Sequence, residues 1–249
     1  MAEIKPRGDV DWEKAKIALE AIQKINPAFT LDNSIIGGAA AWFYKSLLQK
    51  ENDPDFPCPN YSGDEEKVWL SRDLDFIGTR RDKLAEELQT QAEGDPAVVV
   101  IAGVWVDTPN EGLFLTSDRA AKTALEIRNP STQSTFKVAS PTLLYREKKE
   151  LLQHKELKDR PQDRLHLGAL ERAAKLVLCK LAEESSPNEK QPRLLFKLLK
   201  EAQEIAPEII EDQQVLRRLA RQLDRIGKDP NSKALFHLLQ KQILTKWEK

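Results

Sequence analysis

Cysteine, histidine and long apolar runs are scarce in this chain of 249 residues. It has two cysteines, Cys58 and Cys179, and three histidines, none of them in a metal-ligand spacing. This composition argues against a disulfide framework and a structural zinc site, and it is typical of a reducing compartment. No segment reaches the roughly 20 apolar residues of a membrane span, and the first residues lack the apolar core of a signal peptide. We therefore expect a cytoplasmic protein without a membrane partner.

Charge is unevenly distributed, although the formal net charge is only -1. Residues 1–140 carry 16 Lys/Arg against 23 Asp/Glu, and residues 141–249 carry 23 against 17. An acidic first part suits metal ligands, and a basic second part suits contacts with phosphates. The alternative is that both parts are ordinary solvated surfaces.

Hydrophobic periodicity divides the chain at about residue 140. Strand-like segments alternate with helical ones before Pro141, and helical spacing continues almost to the end after it. The strand candidates are 34–36, 68–77, 97–102, 104–107, 124–127 and 135–139. The pattern predicts an α+β fold, in which a small mixed sheet flanked by helices (residues 1–140) precedes an α-helical domain (residues 141–249).

An acidic pair and a diglycine carry the most chemistry. Side chains alternate along a strand, so Asp73 and Asp75 share one face of strand 68–77, where two carboxylates hold a divalent cation well. Gly37 and Gly38 end a short apolar strand and open a helix, which leaves backbone N–H groups available to a phosphate. The alternatives are an exposed acid pair on an edge strand and a plain strand-to-helix turn.

These motifs, in this order, resemble the polymerase-β-like nucleotidyltransferase superfamily. Within it the chain is most similar to the minimal and abortive-infection-type nucleotidyltransferases. The similarity covers about residues 35–170 and rests on Gly37-Gly38, Ser71-Arg72-Asp73-Leu74-Asp75, Val138–Leu144 followed by Lys148, and Lys158–Leu165. One departure is an insertion, since 34 residues lie between Gly38 and Asp73.

The resemblance implies transfer of a nucleoside monophosphate from an NTP, such as ATP, to an acceptor hydroxyl, with release of pyrophosphate. Mg²⁺ is the implied cofactor, with Mn²⁺ as a possible replacement. The acceptor is an RNA end, a protein or a small molecule, and DNA is not expected. The implied catalytic and metal-binding residues are Asp73, Asp75 and Asp107, and the implied nucleotide-binding residues are Gly37, Gly38, Ser71, Arg72 and Lys148.

Two of these assignments leave alternatives open. Asp107 ends a strand whose alternation aims it at the same face as the acidic pair, but Glu126 is a second candidate. Asp107 also reads as a loop-capping residue before Thr108-Pro109. Lys148 either meets the triphosphate or lies with Lys149 on the solvated face of a helix.

Further readings concern the remainder of the chain. Arg217, Arg218, Arg221 and Arg225 form a row that is either solvated or an RNA clamp. The acidic segment 50–66 is a loop whose aspartates, Asp53 among them, shape access to the acceptor. Other functions also stay open: a nucleotidyltransferase-like binding module without turnover, or a helical scaffold without nucleotide affinity.

Overall fold

The computed structural model describes residues 12–61, 73–92, 98–128, 135–153, 161–184 and 191–226. The strands in these ranges are Ser34–Ile35 (β1), Leu74–Ile77 (β2), Val99–Ile101 (β3), Val104–Asp107 (β4), Leu125–Arg128 (β5) and Thr135–Val138 (β6). The helices are Trp12–Ile25 (α1), Phe29–Asp32 (α2), Gly37–Glu51 (α3), Arg81–Glu87 (α4), Ser117–Thr123 (α5), Pro141–Gln153 (α6), Pro161–Glu184 (α7), Gln191–Ile205 (α8), Pro207–Glu211 (α9) and Gln213–Ile226 (α10). The expected mixture of helices and strands is confirmed.

The six strands form one mixed sheet in the order β3-β4-β2-β1-β6-β5. Strand β2 runs parallel to β4 and antiparallel to β1, and β1 runs parallel to β6. The outer strands β3 and β5 each pair antiparallel with their inner neighbour. Strand β2, which contains Asp75, is therefore central, so Asp75 does not lie on an edge strand.

One face of the sheet forms the hydrophobic core. Leu74 and Phe76 of β2 are fully buried, as are Ile35 of β1 and Val106 of β4. The Phe76 ring packs edge-on against Phe29 of α2, with ring centroids 5.0 Å apart. Because side chains alternate along a strand, the intervening positions of β2 and β4 point to the opposite face. That opposite face carries Asp75.

Strands β3 and β4, which lie within the predicted strands 97–102 and 104–107, form a hairpin. Ala102 and Gly103 both adopt positive φ, +50° and +78°, which is typical of a two-residue turn between antiparallel strands. Gly103 thus lies in the turn of this hairpin. Of the predicted strand 68–77, β2 covers residues 74–77, and residues 68–72 lie outside the described ranges.

The arginine row of α10 is not uniformly solvated, which corrects the prediction. The side chain of Arg218 is only 11% exposed and bonds to Asp53 after α3 at 2.7 Å and to Glu183 of α7 at 2.8 Å. Arg217 and Arg221 are exposed. Asp53 is itself buried in this contact, so it serves as an anchor between segments. Its predicted influence on access to the acceptor stays a prediction.

A buried carboxylate links the helical part to the sheet part. Glu201 of α8 is 7% exposed and accepts hydrogen bonds from the hydroxyls of Thr123 and Ser140. Polar contacts thus join residues before and after position 140. The division into two domains at residue 140 stays a prediction. In the described part of the chain, no helix is long and apolar enough to cross a membrane.

Burial gives Glu201 a pH-dependent effect on stability. Desolvation raises the pKa of Glu201 from 4.5 to about 6, against the opposing effect of the Ser140 and Thr123 hydrogen bonds. The folded chain therefore binds this proton more tightly than the unfolded chain does. The resulting stabilisation is full below pH 4.5 and is lost as the pH rises through 6.

We predict that Glu201→Gln removes this contribution. The free energy of unfolding of the wild type, minus that of Glu201→Gln, should fall by roughly 2 kcal/mol between pH 4.5 and pH 7. Urea unfolding at several pH values measures it. Glu86→Gln, at a side chain 75% exposed on α4, is the control and should give a flat difference. Parallel curves for wild type and Glu201→Gln would contradict the prediction.

Candidate functional site

The diglycine lies where β1 passes into α3. Ile36 is extended, and its N–H donates to the carbonyl oxygen of Asp75 at 2.9 Å. Gly37 then adopts φ +65° and begins the helix. An L side chain is strained in this left-handed region, so glycine suits the position. The backbone thus turns into α3 directly beside the acidic strand.

The carboxylate of Asp75 occupies the space beside Gly37. A Cβ added to Gly37 would lie 2.4 Å from Oδ2 of Asp75, which is closer than atoms can approach. The first N–H groups of an α-helix have no partner within the helix and carry partial positive charge. The structure therefore places a half-buried carboxylate at the positive end of α3.

Asp73 and Asp75 are more exposed than Leu74 and Phe76, the residues that alternate with them along the chain. Both aspartates keep partial exposure, whereas Leu74 and Phe76 are fully buried. This alternation is the one predicted for a strand with one core face. It leaves the side chains of Asp73 and Asp75 partly exposed, and Asp75 is the one that lies against the start of α3.

Asp107 is the neighbour of Asp75 on the adjacent parallel strand. The register pairs the two residues directly, so their side chains point to the same face at a strand spacing of about 4.8 Å. Glu126 is exposed on β5, which is separated from β2 by β1 and β6, a distance of about 14 Å at that spacing. Of the two candidates for a third carboxylate, only Asp107 adjoins Asp75.

Both oxygens of Asp107 are hydrogen-bonded. Nε of Arg81 donates to Oδ1 at 2.8 Å, and Nη2 of Arg81 donates to Oδ2 at 2.9 Å. The N–H of Thr108 also donates to Oδ1, at 2.7 Å, as expected for the loop-capping reading. Sequence reasoning missed Arg81, because nothing in its local pattern distinguishes it from any arginine at the start of a helix. The metal-binding role of Asp107 stays a prediction.

Two of the three predicted metal ligands, Asp73 and Asp75, have carboxylates that suit a hard cation such as Mg²⁺. Carboxylate oxygens are the groups that Mg²⁺ prefers; Asp73 carries them directly before β2, and Asp75 carries them within β2. Asp107 instead holds a guanidinium. Among the residues that the structure describes, no three Asp, Glu, His or Cys side chains are grouped as a metal site.

Lys148 lies in an ion pair between two helices of the second part. Its Nζ contacts Oδ1 of Asp163 at 2.6 Å, and both side chains are largely buried. Lys149 pairs with Glu208 at 2.5 Å, so neither lysine simply faces solvent. Asp163 belongs to the run 158–165 that carried part of the resemblance, but no role was predicted for it. Ser71 and Arg72 lie outside the described residues, and the role of Lys148 toward a triphosphate stays a prediction.

A cavity of ≈ 640 Å³ opens at the carboxyl ends of β2 and β4. Its lining includes Gly78, Thr79, Arg81 and Asn110. The loop on one side is fixed by Glu147 of α6, which accepts the N–H groups of Phe114 and Leu115 at 2.8 and 2.9 Å. Arg81 thus lies at the wall of this cavity, together with Thr108, the residue after Asp107.

No model of a known protein family matches the chain, and no curated protein or solved structure matches it either.

Alanine at Gly37 tests the close approach of Asp75. We predict that Gly37→Ala destabilises the fold by the strain of positive φ and also by the clash with the Asp75 carboxylate. Gly103→Ala is a matched control, because Gly103 has φ +78° but nothing within 4 Å of its added Cβ. The control should lose about 1–2 kcal/mol, and Gly37→Ala a further 1–3 kcal/mol, roughly the effect of overpacking.

Urea unfolding followed by circular dichroism measures both losses. Equal losses for the two variants would contradict the prediction, because they would mean that the Asp75 side chain moves aside at no cost.

Proposed function

We propose that the chain is a nucleotidyltransferase that moves a nucleoside monophosphate from an NTP to an acceptor hydroxyl, with release of pyrophosphate. The observation that carries the proposal is the position of the Asp75 carboxylate against Gly37, at the start of α3. The Asp75 carboxylate, which suits a cation, then lies beside a helix N-terminus, which suits a phosphate. A triphosphate with its metal ion needs both groups: the carboxylate for the ion and the helix N-terminus for the phosphates.

The proposed roles follow from this arrangement. Asp73 and Asp75 would hold Mg²⁺, or Mn²⁺ in its place. The ion, when bound, would neutralise charge on the oxygens of the α-phosphorus and lower the pKa of the attacking hydroxyl. Gly37 and Gly38 offer backbone N–H groups to the phosphates. Ser71, Arg72 and Lys148 are proposed as further nucleotide contacts on the resemblance alone.

For the acceptor we propose only its chemical class, a molecule with a free hydroxyl. An RNA end, a protein side chain and a small molecule all carry a suitable hydroxyl, and the shape between the sheet and the helices after residue 140 would select among them. We further propose that the protein acts in the cytoplasm and, among nucleic acids, on RNA and not on DNA. The low cysteine content supports the reducing compartment.

A binding module without turnover is the second candidate. The observation that favours it is the bidentate contact between Arg81 and Asp107, which engages a carboxylate that the resemblance assigns to the metal. Such a module would bind an NTP or a partner and transfer nothing. The acid pair at Asp73 and Asp75 favours the enzyme, because two carboxylates at alternate positions carry the oxygen atoms that Mg²⁺ prefers as ligands.

Label transfer separates these functions. We predict that the protein, incubated with Mg²⁺ and each α-³²P-labelled NTP, labels total RNA, a small-molecule pool or protein. Asp73→Asn and Asp75→Asn should each reduce labelling at least about 100-fold, since even an indirect contact to a metal is worth 10–100-fold. Asp118→Asn is the matched control, because its carboxylate is 74% exposed on α5. This control should label as the wild type does.

Other results would point elsewhere. A thermal shift with NTP and Mg²⁺ but no labelling of any acceptor would favour the module, and no shift at millimolar ligand would favour the scaffold. Labelling that survives in Asp75→Asn as it does in Asp118→Asn would remove the proposed site.

A further inference from the structure

A second cavity, of ≈ 560 Å³, lies between helices α5 and α8. None of its described lining residues belongs to the candidate site. Pockets of this volume are of the size that takes up small molecules. Each helix contributes two cationic side chains to the lining: Arg119 and Lys122 from α5, and Lys197 and Lys200 from α8. Such a wall favours an anionic ligand, provided that acids of the chain do not already neutralise it.

Arg119 is the cation of this wall whose guanidinium is incompletely bonded. In the described part of the chain, its Nη1 is buried and has no hydrogen-bond partner. Buried polar groups are nearly always bonded, because an unbonded donor has lost its hydration and gained nothing in return. The residue as a whole keeps partial exposure, so a ligand can reach it. Rotation about the terminal bonds of Arg119 would then bring Nη1 to an oxygen of that ligand.

Glu201 lines the same cavity but does not supply this acceptor. Burial raises the pKa of Glu201, and the hydrogen bonds of Ser140 and Thr123 and the charge of Arg119 oppose that effect. The two charges are therefore close enough to interact. The two Glu201 oxygens, however, accept the hydroxyls of Thr123, at 2.6 Å, and of Ser140. The carboxylate is thus bonded to hydroxyls, and Nη1 of Arg119 is not among its donors.

The lysines of the cavity are only weakly held by acids. Lys122 pairs with Asp118 at 2.5 Å, and Lys200 lies 3.8 Å from Glu204, but all four side chains are more than half exposed. Exposed pairs of this kind contribute little to stability, so their ammonium groups are free to turn toward a ligand. Lys197 is exposed as well. Adaptable ammonium groups thus border the same cavity as the buried guanidinium nitrogen.

The lining favours a phosphate group over a carboxylate. A phosphate monoester carries nearly two negative charges at pH 7 and has three strong acceptor oxygens. One such group can contact a guanidinium and two ammonium groups together, whereas a carboxylate has one charge and two oxygens. Phe196 lines the same cavity and packs partly on the hydrophobic core. An apolar or aromatic organic part therefore has a surface of its own beside the cations.

We propose that the cavity between α5 and α8 binds a small phosphomonoester. Arg119 is the main ligand of its phosphate group, the lysines of both helices add contacts, and Phe196 lies beside the organic part. This is a second site, and it does not depend on the proposed transfer reaction. Its occupant joins the two helices that the contact between Thr123 and Glu201 already links.

Isothermal titration calorimetry on the full chain, with EDTA and without Mg²⁺, tests the proposal. The probes are inorganic phosphate and phenyl phosphate, at pH 7.5 and at an ionic strength held constant with chloride. We expect saturable binding of both probes. Phenyl phosphate should bind roughly threefold more tightly or better, because its ring has Phe196 to pack on.

Three variants locate the binding site. Arg119→Gln should weaken the binding of both probes at least about tenfold, since it removes a charged hydrogen-bond donor. Lys197→Gln, at an exposed position that the fold does not need, should weaken binding about twofold to fivefold. Arg217→Gln is the control with the same change of charge, because Arg217 is exposed on α10 and is absent from this lining. The control should bind as the wild type does.

Glu201→Gln covers the case in which Arg119→Gln fails to fold. It removes a negative charge that interacts with Arg119 and keeps the shape of the side chain. Phosphate should therefore bind about twofold more tightly or better at pH 7.5. A damaged fold does not produce tighter binding, so a gain in affinity supports the site directly. Circular dichroism melting verifies that each variant is folded.

The outcomes that overturn the proposal are distinct. No saturable binding of either probe, or equal affinities for folded Arg119→Gln and Arg217→Gln, would remove the site. Weaker phosphate binding in folded Glu201→Gln would also contradict it. Binding of inorganic phosphate without phenyl phosphate would leave a site for the free ion and overturn the assignment to a phosphomonoester. None of these measurements involves Mg²⁺, Asp73 or Asp75, so their failure would leave the proposed function standing, and failure of label transfer would leave this site standing.

Discussion

The close approach of the Asp75 carboxylate to Gly37 is the constraint on which the candidate site depends. It requires a residue without a Cβ at a positive φ, and it requires β1 and β2 to be paired so that the Ile36 N–H reaches the carbonyl of Asp75. These conditions fix the start of α3 relative to the acidic strand. The positive end of the helix and the carboxylate are then held together by backbone hydrogen bonds, which is firmer than a contact between two flexible side chains.

The neighbouring strand β4 adds a second carboxylate, that of Asp107, whose position is fixed by strand pairing and by hydrogen bonds. Asp107 lies beside Asp75 in register, and its contact with Arg81 directs a guanidinium to the wall of the cavity. Two carboxylates on adjacent strands would repel one another if neither were compensated. The structure compensates Asp107 through the guanidinium of Arg81.

The helices after residue 140 are connected to the sheet by buried polar contacts as well as by apolar packing. Arg218 joins α10 to the segment after α3, and Glu201 joins α8 to Thr123 and Ser140. Such contacts are specific in geometry, because a buried charge that loses its partner is strongly destabilising. They help to fix how the helical part lies beside the sheet.

Local pattern in the sequence determined the elements. Alternation placed Leu74 and Phe76 in the core and left Asp73 and Asp75 outside it, and paired glycines marked the turn into α3, because side-chain direction and backbone freedom are properties of a few adjacent residues. Only the tertiary structure decided which charges meet. Arg81 and Asp107 are 26 residues apart and Arg218 and Asp53 are 165 apart. Periodicity gives the face of a helix but not what packs on it, so the sequence predicted no ion-pair partner for Arg218 or for Asp107. The partner of a charged side chain is set by strand order and helix packing. These bring together segments that are distant in the sequence and whose local patterns do not predict the contact.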